Sequence, residues 1–171
     1  MGDHLKAQED KNMKKIINPW IELTDKGYNC FACAPHNPLG LKMEFYEDEE
    51  DIVCFWKPST NYQGWTDTLH GGIQATLIDE TCGWLISRKF QLSGMTTNLS
   101  VKYKKPVPIN DNDIIEIRAK VKEVKRTFVF MEATISMNGE IHTTADVTFF
   151  CFSKEKSLTD FNFKPFELEE E

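Results

Sequence analysis

One stretch near the middle of the chain has the polarity pattern of a long helix. Its apolar residues recur at the spacing of one helix face; they are Ile73, Leu77, Ile78, Cys82, Leu85 and Ile86. The pattern predicts a buried helix from about Gly71 to Phe90, which Ser93-Gly94 ends. No other stretch of the chain has a helical pattern of this length.

The chain on both sides of this helix alternates between apolar and polar residues, as strands do. After the helix, the pattern predicts four long strands, over residues 96–104, 113–125, 127–137 and 140–152. Asn138-Gly139 is a strong hairpin signal between the last two. Before the helix, residues 41–46 and 52–56 predict two strands around an acidic turn. Two strands, one helix and four strands are typical of an α+β fold, a sheet wrapped on one central helix.

Size and composition fit a single globular domain. The chain has 171 residues, of which 40% are hydrophobic, enough to bury a real core. We predict an N-terminal arm over residues 1–29 that docks Trp20 and Ile21, a domain over 30–153, and a C-terminal tail over 154–171 with a frayed acidic end. No apolar run reaches the roughly 20 residues of a membrane helix, and the N-terminus has no signal-peptide core. We therefore expect a cytoplasmic protein without a membrane partner.

The charge is acidic overall but unevenly distributed. A net charge of −7 argues against non-specific nucleic-acid binding. Between Lys102 and Arg126, however, eight basic residues face only four acidic ones. This basic stripe suits a compact polyanion such as the phosphates of coenzyme A. A solvated strand face, with lysines that discourage edge pairing, explains it equally well.

The five cysteines do not form a disulfide framework, since their number is odd. Cys30-x-x-Cys33, with His36 three residues on, has the beginning of a zinc site. A closed structural site needs four ligands, and no second pair of cysteines or histidines follows. The prolines and Gly40 around this segment favour a tight loop instead. We expect no metal.

The start of the predicted helix suits a developing oxyanion. Gly71 and Gly72 allow close approach of another group, and a helix N-terminus offers free N–H groups and a positive dipole end. Further along, Asp79 lies between Ala75 and Gly83 on one side of the helix, which leaves room for a ligand or a second chain. A buried helix with one solvated aspartate is the simpler interpretation. The chain has no serine-hydrolase elbow, zinc-protease motif or P-loop, so Asp79 is the best candidate for a general base or nucleophile.

Distance along the helix separates these two groups. His70 and Asp79 are nine residues apart, about 13 Å at the helical rise. Donors and carboxylate at that separation cannot act on one carbonyl within a single chain. A second copy packed antiparallel would bring Gly71 of one subunit to Asp79 of the other, with two equivalent sites about a two-fold axis. We therefore predict a homodimer, paired again into a tetramer, with residues 96–104 and 127–137 as candidate edges for the contact.

Four motifs in order resemble one known family. His70-Gly71-Gly72, followed after six residues by Asp79, is similar to the central helix of hotdog-fold acyl-CoA thioesterases, most closely the phenylacetate-pathway-type and thioesterase-superfamily group. Residues 30–41, 62–65 and 96–106 extend the resemblance, which covers about residues 30–152.

The resemblance implies a hotdog fold, an antiparallel sheet of about six strands around one long central helix, and active sites at a dimer interface. It implies hydrolysis of an acyl-CoA, or of a thioester on a carrier protein, with no cofactor because coenzyme A is part of the substrate. The Gly71 N–H would polarise the carbonyl and Asp79 would activate water or attack. Thr96 would hydrogen-bond the carboxylate or the water, and His70 would brace the turn rather than transfer protons.

The candidate substrate-binding residues are Gly72, Thr97, Gln63, Trp65, Lys104, Lys105 and Arg126. One departure affects the water: some relatives have an asparagine about six residues before the histidine, where this chain has Gly64, and Gln63 is the candidate substitute. Glu80 points about 100° away from Asp79 and is predicted to be structural. The alternative function is a non-catalytic hotdog module that binds acyl-CoA or a partner protein. A dehydratase is disfavoured because its histidine motif is absent.

Overall fold

The structure, a computed structural model, describes residues 13–170. The first twelve residues of the predicted arm and Glu171 of the predicted tail lie outside this range. The strands are β1 (Lys14–Lys15), β2 (Tyr46–Asp48), β3 (Asp51–Trp56), β4 (Gly94–Tyr103), β5 (Ile115–Lys125), β6 (Phe128–Met137) and β7 (Glu140–Cys151). The α-helices are α1 (Gly71–Leu85), which continues as a π-helical turn over Ile86–Phe90, and α2 (Lys154–Phe161). Two 3₁₀ segments span Pro19–Lys26 and Thr60–Tyr62.

The strands form one antiparallel sheet in the order β1-β2-β3-β5-β6-β7-β4. Helix α1 packs against β3, β4, β5, β6 and β7. The predicted fold, an antiparallel sheet around one long central helix, is confirmed. Because β6 lies inside the sheet, the prediction that residues 127–137 supply a paired edge is wrong. Among residues 13–170, β4 is an edge strand whose one partner is β7.

Helix α1 forms where the apolar pattern predicted it. Leu77, Ile78 and Cys82 are fully buried, and burying each large aliphatic side chain contributes roughly 1.5–3 kcal/mol. Gln91, at φ 53°, ends the π-helical turn in the left-handed region. The β6–β7 hairpin is confirmed as well, because Asn138 and Gly139 both have the positive φ of a two-residue turn.

The predicted strand over residues 41–46 is displaced. Leu41, Met43 and Phe45 are buried in alternation, as the pattern required. The N–H groups of Leu41 and Met43, however, bond to the carbonyls of Phe31 and Ala32 in a loop, and Lys42 is left-handed at φ 53°. The regular strand therefore begins only at Tyr46. Of the acidic residues predicted as a turn, Glu49 and Glu50 form it, whereas Glu47 and Asp48 belong to β2.

The segments outside the central domain pack on the same core. Trp20 lies against Trp84 and Phe166, whereas Ile21 is 47% exposed. The C-terminal segment contains a helix that the sequence pattern did not predict, α2. The prediction of a frayed acidic end is wrong for the described residues, because the Glu167 carbonyl accepts from the Ile17 N–H and the Glu169 N–H donates to Lys15.

Candidate active site

The start of α1 is capped by its own histidine. His70 is the N-cap, and its Nδ1 accepts the Gly72 N–H at 2.9 Å. This hydrogen bond braces the turn that precedes the helix, and it engages the Gly72 N–H. Within residues 13–170, no acceptor is found for the Gly71 N–H, the first in the helix. One backbone donor at the positive end of the helix therefore stays available to a ligand.

Tyr103, which the sequence patterns did not single out, covers this helix start. Its hydroxyl donates to the Gly71 carbonyl at 2.8 Å, and a Cβ at position 71 would meet its ring at 3.3 Å. In the sequence, Tyr103 could be noticed only by its place at the end of a predicted strand, just before Lys104, Lys105 and Pro106. Glycine at position 71 therefore allows the strand end and the helix start to approach closely.

A cavity of about 540 Å³ opens at the same place. Its lining includes Trp65, His70, Gly71, Tyr103, Lys104 and Lys105. Trp65 is 80% exposed, so it is an open apolar wall rather than part of the core. The structure thus brings five sequence-predicted residues together at the helix start: His70, Gly71, Trp65, Lys104 and Lys105.

Gly64 lines this cavity, and Gln63 precedes it in the same loop. The Gln63 side-chain oxygen accepts the Asp67 N–H at 3.2 Å and braces the loop. A Cβ at Gly64 would meet the His70 ring at 3.3 Å. A side chain at position 64 would therefore crowd the His70 ring, which packs directly over this glycine.

Asp79 lies on the β4 side of α1, where Thr96 fixes its orientation. The Thr96 hydroxyl donates to Asp79 Oδ1 at 2.7 Å. The register of β4 against β7 shifts between Thr96 and Asn98, which makes Thr97 a bulge residue. Thr97 is exposed and its hydroxyl donates to the Thr148 carbonyl, whereas Thr96 points at the helix. The bulge lets two neighbouring threonines serve different faces.

Glu80 points elsewhere, as its position on the helix predicted. Its Oε1 accepts the Trp84 indole N–H at 3.1 Å and lies 3.7 Å from Cys30 Sγ. Burial raises the pKa of the Glu80 carboxyl. The two neighbouring carboxylates therefore have different surroundings, and Asp79 alone is held by Thr96.

The available amide and the held carboxylate are far apart within one chain. Gly71 and Asp79 are eight residues apart in α1, which is about 12 Å along the axis. A thioester carbonyl in hydrogen-bond contact with the Gly71 N–H cannot also meet Asp79 of the same chain.

The basic stripe is divided between two ends of the sheet. The Lys104 N–H bonds to the His142 carbonyl near the start of β7. Arg126 lies in the β5–β6 turn, next to the residues that pair with Phe150 near the end of β7. His142 and Phe150 are eight residues apart in β7, which is about 27 Å at the rise of a strand.

Most basic side chains of the stripe are already paired. Lys120 binds Glu132, Lys122 binds Asp146, and Arg118 binds three carboxylates. Lys105 binds Glu140. For Lys104, no acidic partner is found in the described part of the chain. Lys102 and Arg126 have no acidic partner in that range either, and of these three lysine and arginine side chains Lys104 is the one that lines the cavity.

Among residues 13–170, no helix is both long and apolar enough to cross a membrane.

Comparison with known proteins gives a consistent result. Residues 66–141 match the model of the thioesterase superfamily. The chain is 30% identical over 133 residues to acyl-coenzyme A thioesterase THEM4 of Rattus norvegicus, an alignment that covers 75% of this chain and 56% of the rat protein. The chain spans about half the length of the curated relatives it matches.

Solved structures agree on the fold. A thioesterase protein of Streptococcus pneumoniae, crystallised with coenzyme A, matches with a TM-score of 0.56 and 24% identity over 60% of this chain and 82% of that one. The PaaI protein from the phenylacetic acid degradation operon of E. coli matches with a TM-score of 0.59 and 14% identity, over 66% and 81% of the two chains. The resemblance to hotdog-fold acyl-CoA thioesterases is confirmed.

Proposed function

We propose that this chain, which resembles the hotdog-fold acyl-CoA thioesterases, hydrolyses an acyl-CoA thioester to a free acid and coenzyme A. The observation that carries the proposal is the 2.7 Å hydrogen bond from Thr96 to Asp79. A threonine on the edge strand holds one carboxylate oxygen in place and leaves the other available. A carboxylate held in this way can take a proton from water or attack a carbonyl.

The Gly71 N–H supplies the second half of the chemistry. It lies at the positive end of α1, beside the 540 Å³ cavity. A backbone N–H placed there stabilises the negative charge that develops on the carbonyl oxygen during attack. His70 holds the turn through the Gly72 N–H, and neither role uses a bound cofactor.

Two copies of the chain complete the site. Because the two groups are about 12 Å apart in one helix, Gly71 of one subunit and Asp79 of the partner subunit act on the same carbonyl. The ten-residue edge strand β4 carries Thr96 near one end and Tyr103 at the other. Pairing of β4 with its copy about a two-fold axis brings opposite ends together, and with them the two halves of each site.

The same pairing reunites the divided basic residues. Lys104 and Lys105 line the cavity at the Gly71 end, while Arg126 lies near the Thr96 end of the sheet. In the dimer, Arg126 of the partner subunit approaches Lys104, so both contribute to binding the coenzyme A phosphates. The coenzyme A complex of the Streptococcus pneumoniae neighbour supports a substrate of this class.

The test is release of free thiol from a panel of acyl-CoAs. We expect Asp79→Asn to lower kcat by about 10² to 10⁴, the usual loss when a general base is removed, while KM changes much less. Asp160→Asn, a matched change on exposed α2, should retain wild-type turnover. If Asp79→Asn stays within a few-fold of wild type while Glu80→Gln is inactive, the wrong carboxylate has been assigned.

A non-catalytic module remains the second candidate, and one observation favours it. The Gln63 oxygen accepts the Asp67 N–H, and position 64, which faces the His70 ring, is a glycine without a side chain that could hold the attacking water. The thiol-release assay distinguishes the two functions. A module binds acyl-CoA at Lys104 with no thiol release, whether or not Asp79 is present.

A further inference from the structure

Two cysteines and a glutamate converge where the N-terminal loop meets α1. Cys30 and Cys33 come from the loop, and Glu80 comes from the helix. The two sulfurs and a Glu80 carboxylate oxygen all lie within 4.8 Å of one another. Cys33 is 2% exposed, and the other two are partly buried. No lysine or arginine pairs with Glu80 in the described range.

This cluster lacks a positive charge of its own. Burial raises the pKa of Glu80, and the hydrogen bond to Cys30 together with burial raises that of Cys33. The same hydrogen bond lowers the pKa of Cys30. Further support for a thiolate at Cys30 comes from the Cys33 backbone N–H, which lies 3.4 Å from its sulfur. Two sulfurs and a carboxylate oxygen lie close together in this cluster, and donors of these types suit a cation that binds sulfur.

We propose that Cys30, Cys33 and Glu80 bind a zinc ion. Zinc takes thiolate ligands at about 2.3 Å and carboxylate ligands at about 2.0–2.2 Å in tetrahedral sites. Two thiolates on one tetrahedral zinc are then about 3.8 Å apart, and the present separations are within 4.8 Å. Closure of the cluster by no more than about 1 Å brings all three ligands into range. Two sulfur ligands favour zinc over magnesium or calcium, which select oxygen.

The surroundings supply the remaining requirements of such a site. The Tyr28 hydroxyl lies 3.1 Å from Cys33 Sγ, and the Trp84 indole N–H donates to Glu80. Contacts of this kind orient metal ligands. A cavity of about 330 Å³ is lined by Cys30 and Glu80, so the fourth position is open to water.

Glu80 takes the place that His36 had in the sequence pattern. His36 Nε2 lies 2.8 Å from the Tyr28 carbonyl oxygen, so this histidine is held by the loop backbone. The sequence pattern predicted no metal because no further histidine or cysteine pair follows Cys30 and Cys33. A glutamate fifty residues away in sequence cannot be linked to Cys30 by spacing.

The site would fasten the N-terminal loop to α1 one residue beyond Asp79. The proposal does not depend on thioester hydrolysis, because its ligands face away from Asp79 and Thr96. Zinc bound only when folded should raise Tm. Binding should also release protons, because the thiols bind as thiolates.

The experiment titrates the reduced, metal-free full chain with Co²⁺ and then Zn²⁺. We expect one Co²⁺ per chain, with the charge-transfer absorption of a thiolate complex that Zn²⁺ displaces. Cys30→Ser and Cys33→Ser should each abolish the absorption, and Glu80→Gln should weaken binding at least ten-fold. Cys151→Ser, a cysteine outside the cluster, should leave it unchanged. Circular dichroism checks that each variant is folded.

A second measurement keeps the proposal testable if a cysteine variant does not fold. In the wild-type chain, Zn²⁺ should slow alkylation of Cys30 by iodoacetamide, with the modified residue located by mass spectrometry. The proposal is overturned if the absorption survives both cysteine variants, or if Zn²⁺ neither protects Cys30 nor raises Tm. It is also overturned if the reduced chain binds no Co²⁺ and only a Cys30–Cys33 disulfide is found after oxidation. The rate of thiol release from acyl-CoA is not part of this test. The zinc proposal and the thioesterase proposal can therefore be refuted independently of each other.

Discussion

At the scale of single residues, the proposed chemistry depends on how Asp79 is held. One hydroxyl on β4 orients one carboxylate oxygen. Ala75 and Gly83 lie one helical turn away on either side of it, and their small side chains leave the other oxygen accessible. Thr96 is therefore a positioning residue, and its contribution should depend on the hydroxyl alone.

Replacement of Thr96 tests this. Thr96→Val keeps the shape and removes the hydrogen bond, whose charged acceptor makes it worth about 1.5–3 kcal/mol. Since each 1.36 kcal/mol is a factor of ten in rate, we expect kcat to fall roughly ten- to a hundred-fold, with little change in KM. Thr96→Ser retains the hydroxyl and should restore most of the rate. Equal loss in both variants would show that packing, rather than the hydrogen bond, matters at this position.

At the scale of elements, the site depends on the close approach of α1 to β4. A Cβ at Gly94 would meet Ile86 at 3.0 Å and Phe149 at 3.1 Å. Gly83, on the helix, has ordinary clearance, with Phe149 at 3.8 Å. The two glycines therefore differ in function although they contact the same ring.

Alanine substitutions at Gly94 and Gly83 should change the free energy of unfolding in opposite directions. Gly94→Ala overpacks the junction and should lower the free energy of unfolding by about 1–3 kcal/mol. Gly83→Ala should raise it by about 0.5–1 kcal/mol, because alanine loses less backbone freedom in a helix. Urea unfolding of the two variants measures both changes. A stable Gly94→Ala variant would mean that β4 can move away from the helix.

The turn after β4 carries the proposed phosphate contact. Lys104→Ala should raise KM for acyl-CoA several-fold and flatten its dependence on salt, since exposed charge contacts are screened. Lys120→Ala is the control, because Lys120 is already paired with Glu132. KM is measured for both variants at low and high salt. Identical behaviour of the two lysines would make the whole stripe a solvated face.

The sequence predicted what depends on local periodicity. The α1 pattern, the alternation in β5–β7 and the Asn138-Gly139 turn each depend on neighbours within a few residues, and all three were confirmed. Residues 41–45 show the limit, because alternating burial was correct but the backbone partners came from a loop ten residues earlier. Tyr103 over Gly71 and Glu80 beside Cys30 depend on tertiary contacts, which no spacing encodes.

At the scale of the whole molecule, one chain carries both halves of the proposed site but cannot use them together. The Gly71 N–H and the Asp79 carboxylate lie about 12 Å apart in one rigid helix. In the proposed dimer, the edge strand β4 is the surface at which a second copy completes the site. The central claim is therefore that each site takes its amide from one subunit and its carboxylate from the other.

Removal of each half requires a variant that leaves the fold intact. Proline is tolerated at the first position of a helix and has no N–H, and His70 already has the extended backbone that precedes proline, at φ −61° and ψ 134°. Gly71→Pro should lower kcat by about 10² to 10³, the effect of losing one oxyanion donor. Gly71→Ala adds the same Cβ contact with Tyr103 but keeps the N–H, so it controls for crowding.

The most direct measurement is thiol release by heterodimers, co-expressed with two tags and purified through both. A Gly71→Pro chain paired with an Asp79→Asn chain contains one intact composite site of two, so we predict about half the wild-type activity. A chain carrying both changes, paired with a wild-type chain, places one defect in each site and should be nearly inactive. If each site instead lies within one chain, the results reverse: the first heterodimer is nearly inactive and the second retains about half. That reversal would contradict the account.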